Sequence, residues 1–536
     1  MRNKLQNIFF VLTISLIIIS CANRGNPSGG PKDTTPPEII KTTPENYSTN
    51  FTGKEIKIYF DEFVKIQNLQ KQLIISPPME NAPEVTPLGT ASKYITIKIN
   101  DTLAANTTYA FNFGNSIQDN NEGNPYSYYK FVISTGSYID SLSVKGEILD
   151  AALRKPDEFV SVRLYEVDST FNDSIVYNKL PKYVTNTLDS TTTFSIDNIK
   201  AGKYMLVALK DANEDNKFQQ KTDKIGFHQD FITVPSDTSY TLKLFKEEAE
   251  FSIIRPRLIS GEKIAFGFQG GYKDSKIQIN SELPQDFKSV VTKDPKTDSL
   301  YYWYKPRFKD TDSLLFTVKN KKYSEDFTVK ISEQPRDTLI IEASPKRGLG
   351  FNEDFKISAN VPLVNFDEKK LTILDKDSLN ITYQTAFDTL SNTYTFAFDK
   401  TESNRYKVQV LPEAFVDFFG NKNDTLNFNL STRKFADYGN VRVTLYNAKY
   451  PVIAQLTDAK GEVKAEKYST KQEPLDFSYL EPGKYYLRVV FDSNKNGKYD
   501  AGNYLKKLQP ERISHFNEEI EVRANWDPII DFTLLD

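Results

Sequence analysis

The segment IKAGKYMLVALKDANEDNKF at 199–218 aligns without a gap on LEPGKYYLRVVFDSNKNGKY at 480–499. A pattern of that length carried twice implies a string of modules, each with its own core, and argues against one continuous fold. A second duplication frames the first. YAFNFGNSIQDNNEGNPYSYYKFVISTG at 109–136 parallels YKVQVLPEAFVDFFGNKNDTLNFNLSTR at 406–433. Gly123-Asn124 and Gly420-Asn421, Phe131 and Phe428, and Thr135 and Thr432 keep one spacing across the two. With this longer repeat named A and the other B, the order is A, B, a middle module, A, B. The predicted limits are 36–136, 137–246, 247–335, 336–434 and 435–536.

Alternation of period two dominates these modules. Ile56, Ile58 and Phe60 alternate with outward residues, as do Ile95, Ile97 and Ile99, and Tyr406, Val408 and Val410. Such runs are half-buried strands, and they are punctuated by Gly, Pro, Asn and Asp turns such as NNEGNP at 120–125. Long stretches of helical period are missing. The expected fold class is all-β, a tandem array of Ig-like or β-sandwich modules. A length of 536 residues suits several domains, and 37 Phe with 30 Tyr can fill several cores. A formal net charge of −3 and no basic stripe leave nothing to attract nucleic acid. Set in line, five Ig-sized modules would span about 150–200 Å.

The first residues address location. Arg2 and Lys4 precede an apolar run from Ile8 to Ile19, too short for a hydrocarbon core that needs roughly twenty residues. A charged start, a short apolar core and a small residue before a cut site describe a secretory signal over residues 1–20. Ile18-Ile19-Ser20-Cys21 resembles the bacterial lipobox, which implies cleavage before Cys21 and lipid attachment there. As the only cysteine, Cys21 can take part in no internal disulfide. Residues 21–35 have no apolar pattern and are expected to form a flexible tether. The expected location is the outer membrane, with the membrane itself as a partner through the lipid. No acidic cluster follows Cys21 to direct display at the cell surface.

The first A unit resembles the bacterial Ig-like domain of the SbsA type. The resemblance rests on Pro36-Pro37, IKIYFDEFV with Phe60-Asp61-Glu62, LAANTTYAFNF, the turn around Asp119 and Gly123-Asn124, and the exit FVISTG. The second A unit keeps LPEAFVDFFGN and FNLST but has Ala359-Asn360-Val361 in place of the acidic triplet. Members of that family serve as spacers, stalks and display scaffolds in cell envelopes, so the resemblance implies a fold and a location without a reaction. The B units are similar, more loosely, to small sandwiches of the carboxypeptidase-regulatory type, through Gly-Lys-Tyr before a strand. The middle module is expected to be all-β.

The B units carry the most chemical motif. FDSNKNGKYD places Asp492, Asn494, Asn496 and Asp500 around Gly497, and the first copy offers Asp211, Asn213 and Asp215, with Asn216 in the glycine's place. Oxygen-bearing side chains at alternate positions of a tight loop can converge on a hard cation, which makes weak structural calcium an expectation here. Neither loop supplies a Glu at the twelfth position, where Asn503 and Thr222 stand. The competing reading is a hairpin loop of Asx turns.

In the middle module, Tyr301-Tyr302-Trp303-Tyr304 puts Tyr301 and Trp303 on one face of a strand. That face is either an aromatic platform for a polysaccharide or partner, or a second packed surface. Tyr126, Tyr128 and Tyr129 raise the same choice. Two histidines, His228 and His515, give little for zinc or Ser-His chemistry, and no phosphate loop, GxSxG or HExxH is present. The chain is expected not to be an enzyme. The expected function is a lipid-anchored scaffold positioning a partner such as an outer-membrane β-barrel protein; the alternative is a glycan-binding or adhesive surface lipoprotein.

Overall fold

A computed structural model describes residues 33–188, 192–308 and 311–534. Residues 1–20, Cys21 and most of the tether lie outside the described residues. The described residues divide into two compact units, one of those up to residue 142 with 197–200 and one of the remainder.

In the first unit, one sheet orders strands Ile39–Thr43, Glu55–Ile66, Ser92–Lys98 and Glu84–Thr86, with Ile117–Asp119 added to the long second strand. The other sheet orders Ile74–Ser76, Thr108–Asn112 and Lys130–Ser134. Ile56, Ile58 and Phe60 of one strand and Ile95 and Ile97 of its neighbour point inward onto Phe111, Phe113 and Phe131 of the facing sheet. The sequence alternation is thus the inner face of an Ig-like sandwich.

The second unit holds a run of further sandwiches. Its two B modules share one topology. In the first, Tyr183–Asn186, Ser161–Glu166, Gly202–Lys210 and Lys224–Phe227 form a sheet in that order. In the second, the equivalent strands are Val463–Ser469, Val452–Thr457, Gly483–Phe491 and Ile513–His515. Each module is closed by a three-stranded sheet whose last strand runs parallel to its first: Ser239–Leu244 beside Leu142–Asp150, and Ile529–Thr533 beside Gly439–Tyr446. The middle module packs a four-stranded sheet, Ser252–Ser260, Lys263–Gln269, Ser299–Lys305 and Lys288–Lys293, against a three-stranded one. The described helices are a single turn each or little more, such as Leu69–Gln72 and Ile175–Asn178, and none is long and apolar enough to cross a membrane.

The A repeat is explained by side chains that tie its corner. Tyr109 Oη accepts the Ala104 N–H at 2.9 Å, and Tyr406 Oη accepts the Thr401 N–H at 2.8 Å. Thr135 and Thr432 each accept a backbone N–H, from Thr107 at 2.9 Å and Asn404 at 3.0 Å, and each donates to the carbonyl of Ala104 or Thr401. The turn has its own anchor. Asp119, buried, accepts the N–H groups of Glu122, Gly123 and Asn124, and Asp417 does the same for Phe419 and Asn421. Burial by itself would raise the Asp119 carboxyl; the loop N–H groups outweigh it and hold the pKa below the ordinary value.

Candidate functional site: the seams between modules

Strand Ser299–Lys305 is apolar on both faces. Tyr302 and Tyr304 enter the middle module's core. Trp303 points the other way, yet it is 1% exposed, because Val361 and Phe418 of the second A module close over it and Phe419 meets its ring edge-on at 6.3 Å. Its indole N–H donates to Thr292 Oγ1 at 2.9 Å. Tyr301, half-buried beside it, donates to Asp294 at 2.8 Å; burial and that carboxylate push its hydroxyl up to about 12. Lys263 Nζ lies 4.2 Å from the Tyr301 ring and 4.7 Å from that of Trp303. The expectation of an exposed platform at Tyr301 and Trp303 is therefore corrected: the second face of the strand is covered by the next module. A buried ion cluster pins the same seam. Glu262, fully buried, takes Arg307 and Arg336, and the Arg336 guanidinium lies 4.5 Å from the Phe419 ring. Tyr126 and Tyr129 pack on the first unit's core, whereas Tyr128 stays exposed.

A second seam joins modules far apart in sequence. Tyr504, from the second B module, is wholly buried in the core of the first, among Met205, Val207, Phe227 and Phe245. Its ring meets Phe227 edge-on at 5.5 Å, and its backbone N–H donates to the Glu247 carboxylate. The neighbouring Gly502 is required by space, since a Cβ there would come within 2.6 Å of the Phe245 ring. Lys507 pairs with Asp173 at 2.6 Å, Gln509 donates to the Phe227 carbonyl at 3.0 Å, and Arg488 donates to the Ala152 carbonyl at 2.7 Å. The second unit thus returns on itself, and its modules do not stand in line. His515, near this seam, is held neutral to about pH 4, first by burial and then by Arg488 and Arg154.

The arm that carries Tyr504 has a register origin. Val207 pairs with Phe227 in the first B module, and the equivalent Arg488 pairs with His515 in the second. The intervals are 20 and 27 residues, so the second connection is seven residues longer. The extra length is the docking arm. Sequence reasoning missed Tyr504 because the gapless repeat ends at 499, just before the inserted segment.

The two Asp/Asn loops share one backbone anchor. Asn216 and Gly497 both have left-handed backbone, φ 59° and 76°, and each N–H donates at 2.8 Å to the first aspartate of its loop, Asp211 or Asp492. In the first loop Arg163, itself buried, lies 3.1 Å from Asp211, while Asn213 and Asp215 both bond Gln219. In the second, Asn494 and Asn496 each donate to Asp500 at 2.5 Å. A further carboxylate closes each loop. Asp223 accepts the N–H groups of Ala212 and Gln219, and Glu511 accepts those of the equivalent Ser493 and Asp500. The inserted arm hides this correspondence in the sequence. Among the described residues, no group of three or more His, Cys, Asp or Glu side chains is set to hold a metal ion. His228 Nδ1–H donates to the Asp230 carbonyl at 2.9 Å, and the ring packs on Tyr240.

Residues 33–135 match the bacterial Ig-like domain family, and residues 152–251 match a family described as an uncharacterised protein conserved in bacteria (DUF2141). No curated protein matches the chain. Among solved structures, domains 1–6 of the surface layer protein SbsC align over 91% of this chain and 67% of their own length, at 10% identity and a TM-score of 0.16. The Bacillus anthracis TIE protein aligns over 95% of this chain and 75% of its own, at 11% and 0.14. The titin I-band fragment I67–I69 aligns over 53% and 98%, at 13% and 0.12. TM-scores this low carry no argument about this chain. The family that is shown is that of one module: residues 33–135 form a bacterial Ig-like domain, followed by further β-sandwiches.

Proposed function

We propose that this chain is a non-catalytic structural protein of the bacterial envelope. In this reading it is held at the outer membrane by lipid on Cys21 and presents its sandwich modules as a stiff scaffold to a partner such as a β-barrel protein. The observation that supports a scaffold is the closure of the second unit. Trp303 and Tyr504, each almost wholly buried, are buried by modules other than their own. Aromatic burial of that extent contributes on the order of 2–3 kcal/mol per side chain, and hinge motion across either seam would have to expose it. Nothing comparable is needed for a mobile linker. The lipobox-like Ile18-Ile19-Ser20-Cys21 supports the anchor. The test is labelling with palmitate in the native host. The wild-type chain is expected to carry label and to sediment with membranes, and Cys21→Ser to lose both; an unlabelled wild type or a still membrane-held variant overturns the anchor.

A further inference from the structure

Where the second A module meets the second B module, loop 350–353 faces the strand Leu475–Leu480 across a cleft of about 950 Å³. Phe351, Tyr438 and Tyr479 line it. The three rings come from three separate segments and touch: Phe351 to Tyr479 at 4.9 Å and Phe351 to Tyr438 at 5.5 Å. Phe435 extends the aromatic surface, 4.6 Å from Phe351 and 5.5 Å from Tyr479. Tyr438 is buried and Phe351 half-buried, but Tyr479 and Phe435 remain open to water, 37% and 42% exposed. Tyr479 also has φ 55°, a left-handed backbone that a bulky residue adopts only at a cost. Its position is fixed by an N–H donated to Asn440 Oδ1 at 2.9 Å.

Several of the charges around the cleft are already matched. Arg442 grips Asp476 with two bonds at 2.7 and 2.9 Å, Lys464 pairs with Asp458 at 3.1 Å, and Arg433 pairs with Glu481. A polyanion or a strongly basic peptide would have to break such pairs to be neutralised here. Hydroxyl groups need no such exchange, because each can donate to a paired carboxylate and accept from a paired cation at once. An extended peptide adding as a further strand meets an obstacle as well, since the Ser478 carbonyl on Leu475–Leu480 already accepts Asn352 Nδ2 at 2.6 Å. Partly exposed rings beside paired donors and acceptors suit uncharged sugar rings.

We propose that this cleft binds a neutral polysaccharide chain, with a sugar ring stacked on Tyr479 and hydroxyls taken by the paired side chains at its rim. The proposal stands apart from the lipid anchor and from the scaffold reading. The test is native affinity electrophoresis of the full chain in mild detergent, in gels containing xyloglucan, laminarin, mannan or the polyanion alginate. Retardation is expected in at least one neutral gel and none in alginate. Tyr479→Asn removes the ring while suiting the left-handed backbone, and is expected to weaken the retardation about tenfold or more, with Tyr94→Ala on the first unit unchanged. If Tyr479→Asn melts early, Phe351→Leu, which keeps apolar volume without a ring, must show the same loss. No retardation in any neutral gel, equal or greater retardation in alginate, or full binding by a folded ring-less variant overturns the proposal.

Discussion

The hydroxyl of Tyr504 donates to the sulfur of Met205 at 3.0 Å, joining side chains 299 positions apart. Two copies of one module are thereby clasped, and everything between them is closed into the same unit. Tyr504→Ala is expected to cost about 3–5 kcal/mol, the range for emptying a buried aromatic site. Tyr504→Phe, which loses only the weak O–H to sulfur contact, should cost about 1 kcal/mol or less. Urea unfolding measures both. Small-angle scattering should show the alanine variant expanded; an unchanged radius would mean that the clasp carries no structural load.

At the other seam, Trp303→Ala should likewise cost about 3–5 kcal/mol. Glu262→Gln leaves Arg307 and Arg336 without their buried partner, and about 3 kcal/mol or more is expected from breaking such a cluster on one side. Thermal unfolding followed by tryptophan fluorescence reports on Glu262→Gln, because Trp303 is at the seam and Trp526 is half-exposed elsewhere, and circular dichroism follows Trp303→Ala, which lacks the seam reporter. Equal melting of Glu262→Gln and wild type would show the ion cluster to be dispensable.

Acid should cost stability at His515, in the second B module beside the clasp. In the folded chain His515 stays neutral to about pH 4, against 6.5 when free. The unfolded chain therefore binds a proton that the folded chain refuses. Stability contributed at this position is complete above about pH 6.5, falls as pH drops toward 4, and then levels off. The loss is on the order of 2 kcal/mol, after allowance for partial exposure. His515→Gln should flatten that part of the stability profile measured by urea titration at several pH values.

Asp119 gives the same sign for a different reason. Its carboxyl is held below 3.8, so its contribution is present above that pH and disappears as pH falls through the lowered value. Asp119→Asn replaces a charged acceptor of three N–H groups with a neutral one, and about 1–3 kcal/mol should be lost at pH 7. The loss should shrink as pH falls through that lowered value, where the wild-type carboxyl takes up a proton.

Calcium at the Asp/Asn loops is a proposal with a direct discriminator between the copies. The buried Arg163 already sits against Asp211, whereas Asp500 of the second loop takes two amides, Asn494 and Asn496, that can rotate their oxygens inward. Calcium at several mM should therefore raise the melting temperature through the second loop alone. Asp500→Asn should abolish the rise and Asp215→Asn should keep it. A melting temperature indifferent to calcium removes the proposal.

The chain's alternation at 56–60, 95–99 and 406–410 determined strands and their inward faces, because a period of two is a local property that any sandwich core enforces. The gapless repeats likewise determined that modules recur, and Asn216 standing for Gly497 already marked a left-handed turn. Which surfaces meet was not local. Tyr301-Tyr302-Trp303-Tyr304 reads the same whether its second face is wet or covered, and only the approach of Val361, Phe418 and Phe419 decides it. Asp223 and Glu511 hold equivalent posts, but the inserted arm shifts one against the other, so their likeness emerges only when the strands are paired. Tyr504 had no periodic signal at all: its place was settled by a hydrophobic hollow in a module nearly three hundred residues away, and no window along the chain contains both.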